Sequence, residues 1–445
     1  MHNLAIALQK KGYKISGSDD EIFEPSRSRL NERGLLPEAM GWFPEKLDEK
    51  PDAVILGMHA RADNPELLRA RELGIRIYSY PEFLYEHARD KTRVVIGGSH
   101  GKTTITAVIL HVLSYCGINS DFMVGAQIRG FDVMVRLSDD AGLMVFEGDE
   151  YLTSAVDPRP KFHLYRPHIA LLSGIAWDHI NVFPTWEGYL EEFEKFVSLI
   201  EPGGSIVYCL EDEEVVRVVN NSTGDLIKIG YTLPDYEIKD GITYLRNSHH
   251  SVPLRVFGRH NLMNIEGARM VCRELGVDND AFYSAMSSFP GADNRLELLS
   301  GNSDTVIYRD FAHSPSKLKA TVEAVKEQFP ERELAACIEL HTFSSLSSHF
   351  LEHYRGTLDS ADIPVVYFNP HTLKLKRLPP LNEKKIKQAF GNKNLMVFTD
   401  SEKLLKRLKE MKWRGRNLLL MSSGNFNNIP LGDLALKITA DTGQP

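Results

Sequence analysis

Short apolar runs alternate with helix-period stretches along almost the whole chain, the pattern of parallel sheets covered by helices. In residues 1–90 the strand candidates are Tyr13–Ser16, Ala53–Gly57 and Ile75–Tyr78, separated by helix-like sequence such as Pro65–Leu73 and closed by the helix-like PEFLYEHARD. Met1-His-Asn-Leu-Ala reads as the middle of a crossover helix, without the strand and glycine turn that open a nucleotide-binding α/β domain. Either the chain begins late or that domain is built without its first strand.

A second unit starts at Arg93-Val-Val-Ile-Gly97 and runs to about residue 292. Its strand candidates are Leu143–Phe146, Ile169–Ile175 and Ser205–Cys209, followed by a hairpin-like stretch at Ile242–Phe257 and a helix over Asn264–Leu275. A third unit repeats the rhythm with strands at Thr305–Arg309, Leu334–Ile338, Pro364–Phe368, Leu395–Phe398 and Leu418–Met421, and helices such as Lys317–Glu327 and Glu402–Lys412. The expected architecture is α/β with three domains: residues 1–91, Rossmann-like with its first strand missing; 92–292, a phosphate-loop domain with a mostly parallel sheet; and 293–445, Rossmann-like.

Composition narrows the class. With 445 residues, 42% apolar and 25% charged, plus 32 Gly and 22 Pro, the chain is ordinary globular sequence, and collagen, coiled coil and disorder are excluded. No apolar run approaches the roughly 18 residues of a membrane helix, and the first residues carry no signal-peptide cleavage pattern, so a cytoplasmic location is expected. A net charge of −8 gives no reason to expect nucleic acid or a membrane as partner, so any phosphate must be held by a local site. Cys116, Cys209, Cys272 and Cys337 lie far apart with no CxxC pair and read as reduced, mostly buried residues.

The strongest local signal is Gly97-Gly-Ser-His-Gly-Lys-Thr-Thr104, placed after the apolar run Val94–Ile96 and before the helical Ile105–Tyr115. Backbone N–H groups of such a turn, with the helix's positive end, cradle phosphates; Lys102 neutralises the β/γ oxygens and the Thr103 hydroxyl can hold Mg²⁺. The spacing departs from the full phosphate-loop motif, since Ile96 stands six before Lys102 where that motif has glycine. Two other apolar runs end in polar residues, one at Glu147-Gly-Asp-Glu150 and one at Trp177-Asp-His179. Parallel strands share a carboxyl edge where ligands bind, so Glu147 and His179 are expected beside the loop as part of a shell for a phosphate-bound cation. Asn261 in Gly258-Arg-His-Asn-Leu-Met-Asn264 suits an adenine edge or, equally, the N-cap of the helix that follows. Arg295, and Asp310 at the head of Asp-Phe-Ala-His313-Ser-Pro315, mark the third unit's entrance, with Asp310 able to accept from a ribose hydroxyl.

Taken together, GGSHGKTT, EGDE, WDH, GRHNLMN, the arginine of ADNRLE, and DFAHSP resemble, in order and approximate spacing, the Mur ligases, the ATP-dependent amide-forming enzymes of peptidoglycan synthesis. The resemblance implies that the N-terminal domain binds a UDP-sugar and the C-terminal domain the amino acid or peptide. It implies that Gly98, His100, Gly101, Lys102, Thr103 and Thr104 hold ATP, that Thr103, Glu147 and His179 ligate Mg²⁺, and that Lys102, Glu147 and His179 are catalytic. Asn261, Arg295, Asp310 and His313 would complete the nucleotide site. The stretch Glu150–Pro167 and the ending Met421–Ile429 are similar to the branch that joins L-alanyl-γ-D-glutamyl-meso-diaminopimelate to UDP-N-acetylmuramate in cell-wall recycling. Other readings are the L-alanine-adding branch and, if the N-terminal turn is absent, a nucleotide- and peptide-binding relative without ligase activity. The helix after the Asp-His motif offers Phe193, Glu194 and Lys195, which are assigned no modified-lysine role. Oligomeric state is not indicated.

Overall fold

The computed structural model describes every residue except Arg129, Ala155, 178–181 and 443–445. It forms two compact units, one of residues 1–175, 182–232 and 267–282, the other of 176–181, 233–266 and 283–445.

In the first unit, β1 (Ala53–Leu56) and β2 (Arg76–Ser79) pair in parallel as a two-stranded sheet. Tyr13–Ser16, expected as a strand, is not one. It has no ladder partner among the described residues, and nearby backbone forms only the isolated bridge Asp19–Gly41. The helix Tyr80–His87 starts in a capping box in which Ser79 accepts from the Glu82 N–H and Glu82 accepts in return from the Ser79 N–H.

A seven-stranded sheet makes up the larger part of this unit. Its members are β3 (Thr92–Gly97), β4 (Asp121–Met123), β5 (Val135–Arg136) and β6 (Leu143–Glu147), then, beyond the two-stranded hairpin of β7 (Leu152–Ser154) and β8 (Asp157–Pro160), β9 (Ile169–Leu172), β10 (Ser205–Cys209) and β11 (Ile227–Tyr231). The order is β11-β10-β9-β3-β6-β4-β5, parallel throughout except for β5. β9 ends three residues sooner than the apolar pattern suggested. β3 is central, and its helix Lys102–Tyr115 buries Ile105, Val108, Ile109, Val112 and Leu113 against the sheet, which is why its sequence is apolar nearly all round.

The second unit holds two sheets. β12 (Tyr236–Lys239), β13 (Ile242–Arg246) and β14 (Ser251–Leu254) are antiparallel, in place of the single hairpin the sequence suggested. β15 (Glu297–Gly301), β16 (Val306–Asp310), β17 (Glu333–Glu339), β18 (Ile363–Tyr367), β19 (Met396–Phe398) and β20 (Arg416–Met421) form a sheet of order β15-β16-β20-β17-β18-β19, parallel apart from β15. Separate apolar layers cover its two faces, one including Leu318, Val322, Ile386 and Phe390, the other Leu404, Leu408, Leu434 and Ile438. The mixed α/β class with mostly parallel sheets agrees with the alternating pattern of the sequence.

Two buried charges tie the beginning of the first unit to its large sheet. Arg93 points its guanidinium at the carbonyls of Ala88, Arg89, Lys91, Tyr165 and Arg166 and at the Glu201 carboxylate, at 2.7–3.3 Å. Asp121, fully buried, accepts from Lys91 Nζ at 2.6 Å, His87 Nε2 at 3.0 Å and both the N–H and the hydroxyl of Ser138. Burial works to raise the Asp121 carboxyl, but these donors hold it down at about 2. A depressed carboxyl contributes stability above its ordinary range, and that contribution is lost as pH falls from about 4 toward 2. Asp121→Asn is therefore expected to cost about 3 kcal/mol at neutral pH and to flatten the acid limb between those values, as read by thermal melts across pH.

Candidate functional site

The phosphate-loop residues leave β3 through a turn that only glycine tolerates. Gly98 has φ of 122°, and a Cβ there would stand 2.3 Å from Ser173 Oγ and 3.0 Å from the Ser173 backbone nitrogen. Gly101, at φ 78°, precedes the first helical residue, Lys102. The segment after β9 is stitched to this turn. The Ser99 N–H donates to the Gly174 carbonyl at 2.8 Å, the Ser173 hydroxyl to the carbonyl of His100, and the Ile175 N–H to Asp212 Oδ2 at 2.9 Å. Asp212 also caps the helix Glu213–Asn221. The Ser99 and Tyr189 hydroxyls are 2.8 Å apart, and the His100 ring stands against Gly174.

At the sheet's carboxyl edge, Glu147 is level with Ile96 in register, which brings it to the start of the loop. Thr103 donates its hydroxyl hydrogen to Glu147 Oε1 at 2.8 Å, and the Gly125 N–H donates to Oε2 at 3.0 Å. Burial pushes the Glu147 carboxyl up, opposed by these two donors and by the Lys102 charge. Thr103 and Glu147, neighbouring hard oxygen donors beside a phosphate loop, fit a magnesium ion that takes its other ligands from phosphate and water. Among the described residues no three His, Cys, Asp or Glu side chains gather into a metal cluster of their own. His179, expected as a further ligand, lies outside the described residues. Lys102 Nζ donates to the Gly98 carbonyl and to Glu150 Oε2, each at 2.6 Å. Burial alone would lower its ammonium; the carboxylates of Glu150, Asp149 and Glu147 more than offset that and hold it above its ordinary value. Thr104 is buried in the same first turn.

In the second unit, Arg295 lies 4.7 Å over the Phe311 ring, and His313 meets the same ring edge-on at 5.1 Å. Asp310 accepts from the Leu296 N–H through Oδ2 and from the Ala312 N–H through Oδ1, both at 2.7 Å. Those bonds hold a turn in which Asn294 and Leu296 have left-handed φ of 55° and 43°, a conformation disfavoured for non-glycine residues. Asp310 thus fixes the backbone that presents Arg295. Asn261 lies inside the helix Arg259–Glu274, two residues past its start, and donates to the Phe257 carbonyl at 2.9 Å, so it is not that helix's N-cap. A cavity of about 250 Å³ opens at the ends of β16 and β20, lined among others by Arg309, Phe311, Ser422, Asn425 and Phe426. Its floor is braced by Glu339, which accepts from the Ser422 hydroxyl and, at 2.8 Å, from the Phe426 N–H.

Sequence reasoning missed Ser173, Gly174, Asp212 and Glu150. Asp212 alone carried a readable signal, an Asp before the acidic first turn of a helix; the others act through contacts between segments distant in sequence. Gly98→Ala is expected to abolish binding of a magnesium–ATP analogue in titration calorimetry while Gly142→Ala, in open space and without a left-handed φ, leaves it unchanged.

Residues 96–272 match the Mur ligase middle domain, and residues 1–92 match a second model described as Mur ligase family, catalytic domain. The UDP-N-acetylmuramate–L-alanine ligase of Clostridium tetani is 28% identical over 98% of this chain and 95% of its own. The UDP-N-acetylmuramate–L-alanyl-γ-D-glutamyl-meso-2,6-diaminoheptandioate ligase of Haemophilus influenzae is 26% identical over 96% and 95%. The crystal structure of the UDP-N-acetylmuramate–alanine ligase MurC from Thermotoga maritima shares the fold, with a TM-score of 0.68 at 20% identity, covering 98% of this chain and 96% of that one. With both models together spanning well over half of the residues, the chain belongs to the Mur ligase family of ATP-dependent amide-bond ligases.

Proposed function

We propose that this chain joins the L-alanyl-γ-D-glutamyl-meso-diaminopimelate tripeptide to the muramoyl carboxylate of UDP-N-acetylmuramate. A carboxylate oxygen of the sugar nucleotide attacks the γ-phosphorus of ATP and ADP leaves. The peptide amine then adds to the acyl phosphate carbon, loses its proton, and inorganic phosphate departs as the amide forms. Lys102 draws charge from the transferring phosphoryl oxygens, and the N–H groups of residues 98–102 orient them. Magnesium held by Thr103, Glu147 and His179 would neutralise phosphate charge. Asn261, Arg295, Asp310 and His313 are read as nucleotide-binding residues. Domains of residues 1–91, 92–292 and 293–445, chiefly for sugar nucleotide, ATP and peptide respectively, are part of this reading, with Arg159 and Lys161 of the middle domain adding charge for the peptide's carboxylates, and the cytoplasm is where these substrates would be met.

The observation that carries the tripeptide over L-alanine is the segment Glu150–Pro167. Phe162 stacks on Phe196 at 4.6 Å and Tyr165 on Phe146 at 4.2 Å, so the segment is anchored in the core. That anchor supports the hairpin of β7 and β8, where Arg159 is half-exposed with its guanidinium paired to Asp157 at 2.7 Å and to Glu82 at 3.2 Å, and Lys161 is paired to Asp149 at 2.8 Å. Basic side chains suit a peptide with several carboxylates, whereas L-alanine has one. The L-alanine reading is favoured by the Clostridium tetani relative, which this chain matches from end to end.

Phosphate release from ATP with magnesium and UDP-N-acetylmuramate, compared between the two amines, decides the matter. Turnover with the tripeptide alone is the expected result, and a preference for L-alanine overturns it. Replacing both Arg159 and Lys161 by alanine is expected to raise the tripeptide KM by roughly ten-fold with little change in kcat, since the lost charges bind substrate rather than stabilise the transition state.

A further inference from the structure

Lys102 has a partner that the reaction does not call for. Its ammonium offers three N–H donors, and two are committed within the protein, to the Gly98 carbonyl and to Glu150, at 2.6 Å each. The pair is deeply buried, with the Glu150 side chain 1% exposed and that of Lys102 13%. An ion pair withdrawn this far from water is held tightly only because each charge needs the other. A phosphate drawn to the same ammonium meets the Glu150 carboxylate at close range, where like charges are poorly screened.

We propose that Glu150 is a positioning residue that competes with nucleotide phosphate for the Lys102 ammonium and so limits how tightly the loop retains ADP. The inference rests on the reading of residues 97–104 as the phosphate loop. Glu150 keeps the buried ammonium compensated and its side chain folded back along the loop. The same contact weakens the grip on the product, which has to leave before the next ATP enters. Arrangement of the chain favours this pairing. Glu150 follows the last residue of β6 by three positions, and the Thr103–Glu147 contact uses the neighbouring carboxylate, so the loop's lysine and hydroxyl take separate acidic partners.

Calorimetric titration of magnesium–ADP into wild type, E150Q, E150D, K102M and the K102M/E150Q double variant tests this. E150Q is expected to bind ADP roughly ten-fold more tightly, the scale of coupling between close charges, and to release it more slowly in stopped-flow displacement. E150D, whose shorter carboxylate draws back from Lys102, is expected to move the same way by less, and it carries the test should E150Q fail to fold. In the K102M background the E150Q change should gain no more than about two-fold, because the competition runs through the ammonium. A purely structural Glu150 would lower thermal stability without tightening ADP. Unchanged or weaker ADP binding by the folded Glu150 variants, or an undiminished gain in the K102M background, overturns the proposal. If wild type itself binds no magnesium–ADP, the phosphate-loop reading falls and the proposal with it, an outcome distinct from failure of the variants alone.

Discussion

Backbone crowding between Gly98 and the Ser173–Gly174 segment governs the phosphate-loop side of the molecule. β3 and β9 are sheet neighbours, and the chain leaving each passes so near the other that no side chain fits at residue 98. That contact forces the left-handed turn, the turn sets where the helix from Lys102 begins, and the helix start places Thr103 beside Glu147. Asp212 and Tyr189 steady the two sides from behind. The geometry of the loop is thus decided by packing at a strand end more than by the charged residues themselves.

The charged groups follow a second rule, that ionised side chains leave water only with partners in place. Asp121 and Arg93 are structural cases, each ringed by several donors or acceptors from the surrounding chain. Lys102 and Glu147 differ in that, on the proposed reading, ligand chemistry would ask for the very groups that their partners hold. Asp310 lies between the two: its oxygens accept from two backbone N–H groups and the Thr321 hydroxyl, and on the proposed reading its effect on the nucleotide would pass through the turn that carries Arg295.

The alternation of apolar runs was enough to find the large parallel sheets and their covering helices, because strands buried on both faces read as continuous apolar stretches. Glu147 and Thr103 were equally accessible, since strand register follows from parallel pairing and puts strand ends on one edge. Tyr13–Ser16 misled because a stretch of alternating apolar and polar residues becomes a strand only with a neighbour to pair with. The Lys102–Glu150 pair was out of reach for another reason. EGDE offers three carboxylates within four positions, and which of them meets the lysine depends on how the chain bends after β6, a detail of tertiary packing that local pattern does not carry.

Arg93 shows how a joint can be robust and fragile at once. Five of its partners are main-chain carbonyls, from residues 88, 89, 91, 165 and 166. A carbonyl is present whatever side chain its residue bears, so those positions are free to drift without loosening the clamp. The guanidinium has no such freedom: lysine brings three donors from one point and cannot reach a ring of acceptors spread around a plane. Mutational tolerance at this joint is concentrated in the residues that are held and absent from the one that holds them.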